Sequence, residues 1–394
     1  MFKKNSAKVM LFLFFSYSTM TIFGTFLPIY FRENGLSGTE IGWLLAIGPI
    51  ASIISQPVMG FLSDKYRSTK RTIVACLTGA IAISFILAQV DSFIGFFLVL
   101  FFFFFFISSV NPLGDSIARQ TSEDEKVSFG FIRMWGSLGF GVTALVIGYV
   151  FTIIGIDKIF LAIIICLFVT LAIAFSITER RKTNKPVTLI DAVKMGLEPR
   201  LFVFLLVVMF IFITHRTNDN YLGLYIVELG GNESYIGLAT FIGVASECLV
   251  LATGAFWFKK FHETTFIMIA GSLYSIRWFF MTVISDPQLL LVLQLLHGVT
   301  FGILFLSAFQ YVSKILPKHL LATGHVLFFT ILFGVTAMIG SLGGGMIIEF
   351  LSIKFLYFLL GISAAIGVLL TLLYRTMFIF KEKATRAKTE KMEI

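Results

Sequence analysis

Charge is scarce in this chain. Asp, Glu, Lys and Arg make up 13% of its 394 residues, whereas a soluble domain of this size carries about 25%. Cysteine is scarcer still. Cys76, Cys166 and Cys248 all fall within apolar runs, cannot build a disulfide framework, and read as inert packing residues. The histidines are scattered, no Cys/His spacing fits a metal site, and no nucleophile–base cluster supports an enzyme. No Walker-type loop is present. Ile339-Gly340-Ser341-Leu342-Gly343-Gly344-Gly345 is rich in glycine, but it lies inside an apolar stretch where close helix packing explains it. Alternating strand segments are also missing, which excludes a membrane β-barrel. A soluble output domain, which a sensor needs, is not seen.

What is abundant is hydrocarbon. The chain is 57% hydrophobic, contains 47 Phe and has a mean hydropathy of +0.93. A bilayer-crossing helix needs roughly 20 apolar residues, and only helices or closed barrels satisfy their backbone groups in lipid. The apolar runs predict an all-α integral membrane protein with spans at 9–31, 39–61, 72–90, 93–117, 131–154, 159–177, 201–228, 234–258, 264–284, 288–313, 321–350 and 354–376. The basic start (Lys3, Lys4, Lys8) precedes an apolar run too long for a signal peptide, so an uncleaved first helix is expected.

Lys and Arg are unevenly placed. Lys65, Arg67, Lys70, Arg71, Arg119, Lys126, Arg180, Arg181, Lys259, Lys260, Lys314 and Lys318 fall on one side, with both tails. The other side has little beyond Arg32, Lys158 and Lys354. That asymmetry places both termini in the cytoplasm of a cell membrane. It also accounts for most of the +9 net charge, so nucleic acid is not needed as a partner.

The chain repeats itself. A shift of 195 positions places Leu27, Tyr30, Glu33, Gly35, Ile41, Gly42, Ile47 and Gly48 on Leu222, Tyr225, Glu228, Gly230, Ile236, Gly237, Ile242 and Gly243. Duplicated apolar halves suit two bundles rocking around a site at their interface. We expect an N-terminal six-helix bundle at 1–177, a cytoplasmic linker at 178–200, a C-terminal bundle at 201–376 and a basic tail at 377–394. Within the linker, Thr188 to Leu197 has the pattern of a short interfacial helix or of a solvated basic strand of chain. The run Phe101 to Phe106 is expected to face lipid.

Charges inside a bilayer cost several kcal/mol, so each needs a reason. The candidates are Asp115, Arg133, His215, Arg216, Asp219, Glu247, Arg277 and His297. Asp115 and Arg133 lie on consecutive spans, where an ion pair is geometrically reasonable. In His215-Arg216-Thr217-Asn218-Asp219-Asn220, the i,i+3 and i,i+4 spacings allow local pairing. The stretch is expected to face a cavity, with an early helix end as the alternative. His262 and His319 fall in loops, and His325 falls near a span end.

Several sets of residues resemble a known family. Gly60-Phe61-Leu62-Ser63-Asp64-Lys65-Tyr66-Arg67-Ser68-Thr69-Lys70-Arg71 resembles the G-x-L-x-D-R/K-x-G-R-R/K loop of the major facilitator superfamily, with Arg67 where that family has Gly. Phe129-Gly130-Phe131-Ile132-Arg133-Met134-Trp135-Gly136-Ser137-Leu138-Gly139-Phe140 resembles a stretch of the lactose permease (oligosaccharide:proton symporter) branch. The second half continues this with Glu247, Arg277 and His297. Leu295 to Gly302 is also similar to the related phenylpropionate and nucleoside permeases.

The resemblance implies twelve helices in two pseudo-symmetric bundles and a proton-coupled symporter for a sugar, aromatic acid or nucleoside. It further implies substrate contacts at Asp115, Arg133 and Phe140, and proton coupling at Glu247, Arg277 and His297. Asp219 and Asn220 join the substrate set from their place on span 7. Gly60, Asp64 and Lys65 form the conformational loop. No cofactor beyond a proton gradient is expected, with sodium open as the coupling ion, and no metal. The partners are a small solute and the bilayer, and the chain is expected to act as a monomer. A drug/proton antiporter of the same fold is the rival. The branch's helix-10 glutamate and lysine are replaced here by Thr300 and Gln294, and span 11 has no central lysine. A proton must therefore sit on Glu247, Asp219, Asp115 or His297.

Overall fold

The computed structural model describes residues 4–179, 199–258, 261–316 and 321–380. Among these residues there are twelve helices long and apolar enough to cross a membrane. They are α1 (Asn5–Glu33), α2 (Gly38–Lys65), α3 (Thr69–Leu87), α4 (Phe93–Glu125), α5 (Phe129–Ile154), α6 (Ile156–Ser176), α7 (Pro199–Glu228), α8 (Glu233–Gly254), α9 (Glu263–Val283), α10 (Pro287–Ile315), α11 (Gly324–Phe350) and α12 (Ile353–Phe378). Thr188 to Leu197 lies outside the described residues.

The repeat is visible in the backbone. α1 ends at Glu33 and α7 at Glu228, the paired positions. Each is followed by a glycine in the left-handed region, Gly35 at φ 81° and Gly230 at φ 85°, which a side chain would strain. α2 and α8 then begin at the equivalent Gly38 and Glu233. Ser37 and Asn232 cap them by accepting from Glu40 N–H and Tyr235 N–H.

The halves meet along two symmetry-related seams. On the first, Gly42 of α2 lies against Gly345 of α11. A Cβ on Gly42 would sit 2.6 Å from the Ser341 carbonyl oxygen and 3.2 Å from Gly345 Cα. On the second, Gly237 of α8 lies against Ala144 and Gly148 of α5. Small residues permit such backbone approach. The Glu349 carboxylate accepts from Gly38 N–H at 2.6 Å, and Thr152 Oγ1 accepts from Ser234 N–H at 3.0 Å. Both seams lie at the end opposite the basic loops, so the protein is closed there.

Several spans are locally irregular. α1, α10 and α11 carry π-helical turns at Ile22–Phe26, Gly298–Gly302 and Thr330–Val335. α4 is interrupted between Ile107 and Val110. The Ser55 hydroxyl of α2 donates to the Phe105 carbonyl at that interruption. Irregular backbone at membrane depth is tolerated where protein groups re-satisfy it.

One expectation needs correction. The phenylalanine run on α4 does not simply face lipid. Phe103 is fully buried and stacks on Phe23 at 4.2 Å, while Phe102 is exposed. Phe104 packs toward Gly48 and Phe106 against Gly79. α4 is wedged among α1, α2 and α3, so its rings fill gaps left by glycines.

Candidate functional site

In the N-terminal half, Asp115 sits on α4, and Arg133 sits one turn into α5. Arg133 Nε is 3.0 Å from Asp115 Oδ1, and both side chains are 31% exposed. The expected pair is therefore formed. Tyr17 of α1, which the sequence did not single out, completes it. Its hydroxyl donates to Asp115 Oδ2 at 3.3 Å, and its ring lies 4.2 Å from the Arg133 guanidinium carbon. Gly136 leaves the room: a Cβ there would sit 2.8 Å from the Tyr17 ring and 2.9 Å from Arg133 Nη1. Gly139 lies against the Phe14 backbone, drawing α5 onto α1. Phe140 is half-buried, and its carbonyl accepts from Thr21 Oγ1 at 3.1 Å.

In the C-terminal half, α7 runs unbroken through its polar stretch, so the early helix end does not occur. Arg216 Nη1 lies 2.9 Å and His215 Nε2 3.4 Å from the same oxygen, Asp219 Oδ2. Asn220 donates to Ser341 Oγ at 2.7 Å, and Asn218 Oδ1 accepts from the Tyr357 hydroxyl at 3.1 Å. These contacts fix the stretch in place.

α8 and α10 cross where Gly298 approaches the Ser246 backbone, and Gly298 N–H donates to Ser246 Oγ at 2.9 Å. That crossing places His297 Nε2 3.8 Å from Glu247 Oε2. Phe301, inside the π turn of α10, stacks on His215 with centroids 3.9 Å apart. The two imidazole centroids are 5.4 Å apart. No sequence spacing signals this meeting, because it joins α7 to α10.

Arg277 of α9 is fully buried. Its Nη2 donates to Gln294 Oε1 at 2.8 Å and its Nη1 to Thr300 Oγ1 at 3.3 Å, and its guanidinium lies over the Trp278 ring at 4.9 Å. Gln294 and Thr300 are two of the departures from the permease pattern. They surround the guanidinium with neutral oxygens. Among the described residues, no carboxylate forms an ion pair with it. Arg133 of the first half and Glu247 of the second lie on α5 and α8, which pack together with Gly141 against Phe241 and Val244. These polar groups of the two halves therefore lie on neighbouring helices.

Gly60, Asp64 and Lys65, the expected conformational loop, lie apart from these groups, at the basic end of α2. Lys65 Nζ is 5.9 Å from the Tyr66 ring. A Cβ on Gly60 would meet nothing within 4 Å. Arg67 has φ 49°. The left-handed backbone explains why the family pattern has glycine at that place, and this chain holds arginine in it at a cost of about 1–2 kcal/mol. His262 caps α9 through Thr264 N–H, and His325 stacks on Phe309 at 4.1 Å, so both have structural roles. Among the described residues, no group of three His, Cys, Asp or Glu is arranged to hold a metal.

Comparison with known proteins identifies the family. The chain is 31% identical over 347 residues to the uncharacterized transporter YwbF of Bacillus subtilis, covering 86% of each. It is 29% identical to the maltose permease of Geobacillus stearothermophilus, covering 93% of this chain and 95% of that one. The crystal structure of the nucleoside transporter NupG superposes with a TM-score of 0.84 at 16% identity, covering 96% of this chain and all of that one. Residues 7–359 match the MFS_1 like family, and the chain belongs to it, as a twelve-helix multi-pass transporter.

Proposed function

We propose that this chain imports a small hydroxylated organic solute together with protons, by alternating access between two six-helix bundles. One observation carries the reading. Each half brings an ionic group set to the same interface: Asp115–Arg133 from the first, Asp219–Arg216 and Glu247–His297 from the second. Carboxylates accept from solute hydroxyls and guanidiniums donate to them, which suits a polyol. In this reading Asp115, Arg133, Asp219 and Asn220 hold the solute, with the Phe140 ring against it. Glu247, Arg277 and His297 handle the proton. The extent of the match to the maltose permease makes a disaccharide the first candidate, ahead of a nucleoside or an aromatic acid.

The basic loops then face the cytoplasm of a cell membrane, with both termini there. The bundles are residues 1–177 and 201–376, joined by a linker at 178–200 and followed by a tail at 377–394. In this reading the conformation shut at the opposite end is the one that exchanges solute with the cytoplasm. The transporter works as a monomer without a cofactor.

The test is uptake of labelled maltose, sucrose, xanthosine and 3-phenylpropionate into liposomes holding the purified protein, with and without an inward proton gradient. At least one solute should accumulate when the gradient is imposed. Uptake indifferent to the gradient defeats proton coupling. If, in cells, deletion raises dye accumulation and leaves solute uptake unchanged, the protein is an exporter and import is wrong.

A further inference from the structure

We infer that Asp219, His215, His297 and Glu247 form one proton path, in which α7 supplies the carboxylate that α10 lacks at Thr300. The inference deepens the proton-symport reading above and rests on it.

The geometry is a chain across three helices. Glu247 Oε2 of α8 lies 3.8 Å from His297 Nε2 of α10. The His297 and His215 ring centroids are 5.4 Å apart, their planes inclined by 53°. In this path a bridging water carries the proton between the two rings. His215 Nε2 lies 3.4 Å from Asp219 Oδ2 on α7. The remaining nitrogen of His215, Nδ1, is buried and has no hydrogen-bond partner among the described residues. It is the nitrogen left for the link to His297.

Burial follows the same logic. Side-chain exposure is 25% at Glu247 and 31% at Asp219, but 13% at His297 and 4% at His215. The two ends are partly exposed, and the middle is more deeply packed. The Phe301 ring, stacked on His215, holds that imidazole in line. The charged and titratable neighbours are Arg216 on α7, Tyr274 and Arg277 on α9, and Arg133 on α5.

The transfer balances. The Glu247 carboxyl O–H bond breaks as its proton passes to His297 Nε2. His297 releases a proton from Nδ1 toward His215 Nδ1. His215 releases one from Nε2 to Asp219 Oδ2. Glu247 becomes a carboxylate, Asp219 becomes a carboxylic acid, and each ring ends in its other tautomer. Net charge is unchanged, so the path needs no further ion.

The experiment is ¹⁵N-histidine NMR on the full-length protein in nanodiscs, with each of the five histidines assigned by single replacement. Ring-nitrogen shifts report the tautomer directly. Glu247→Gln should change the Nδ1/Nε2 shift pattern of His215, which Glu247 does not touch. Asp219→Asn should change that of His297. Glu247→Asp keeps the carboxylate and should preserve the wild-type pattern, which separates path coupling from loss of fold. If each neutral variant perturbs only its adjacent ring, the path is refuted. Gradient-driven uptake with a silent far ring defeats the path alone. Gradient-indifferent uptake with coupled rings defeats the symport reading alone.

Discussion

Gly42→Leu should force the closed end of the protein open. In the described conformation the new Cβ would sit 2.6 Å from the Ser341 carbonyl oxygen and 3.2 Å from Gly345 Cα. Both are main-chain atoms of α11, which cannot rotate away as a side chain would. Overpacking of this kind costs about 1–3 kcal/mol. The penalty falls only on the state in which the seam is shut, because the other state separates α2 from α11. A ligand or mutation shifts an equilibrium by its differential effect on the two states. At ~2 kcal/mol the ratio of open to closed changes roughly thirtyfold.

Spin labels on Asn34→Cys and Leu351→Cys, both exposed at this end, read the separation by double electron–electron resonance in a background without native cysteines. A longer distance should become the main population in Gly42→Leu. Gly343→Leu is the control. It lies on the same stretch of α11, makes the same chemical change and would meet nothing within 4 Å. If both substitutions leave the distance distribution alike, or if only the control widens it, the seam does not hold the closed state.

Four other outcomes follow from the structure. Arg133→Ala should abolish solute uptake while the protein still inserts and runs as a single species in gel filtration, because it leaves Asp115 facing only Tyr17; normal uptake removes Arg133 from the solute site. Arg133→Lys should not restore it, since a point charge does not reproduce the planar fork that donates to two acceptors. Arg67→Gly should raise the unfolding midpoint by relieving about 1 kcal/mol of left-handed backbone strain, and an unchanged or lower midpoint shows that the arginine side chain holds that turn. Phe103→Ala should destabilise by about 3–5 kcal/mol, read by thermal unfolding in detergent, whereas the exposed Phe102→Ala should change little.

The helices and their pairing were legible because bilayer physics acts on local sequence. A run of apolar residues must cross, and a glycine such as Gly35 or Gly230 must turn, whatever surrounds it. The N-terminal ion pair was also readable, since Asp115 and Arg133 are close in the chain and on consecutive helices. Tyr17 was not. Its phenol looks like any other amphipathic aromatic until α1 is placed beside Gly136 and Gly139. Gln294 and Thr300 read in the sequence only as missing charges. Their role as acceptors for Arg277 needs α9 and α10 side by side. The same holds for His215, whose i,i+4 neighbour Asp219 was visible and whose contact with Phe301 was not.

The sequence by itself determined the twelve crossings, the twofold repeat, the side on which positive charge collects and the few ionisable groups held at membrane depth. Each of these follows from the cost of placing a residue in hydrocarbon, which depends on the residue and its immediate neighbours. The tertiary structure decided which ionisable groups meet, which glycines form the seams, and that the end opposite the basic loops is shut. Those facts depend on helices distant in the chain, brought together by backbone approaches of a few ångströms that no local pattern encodes.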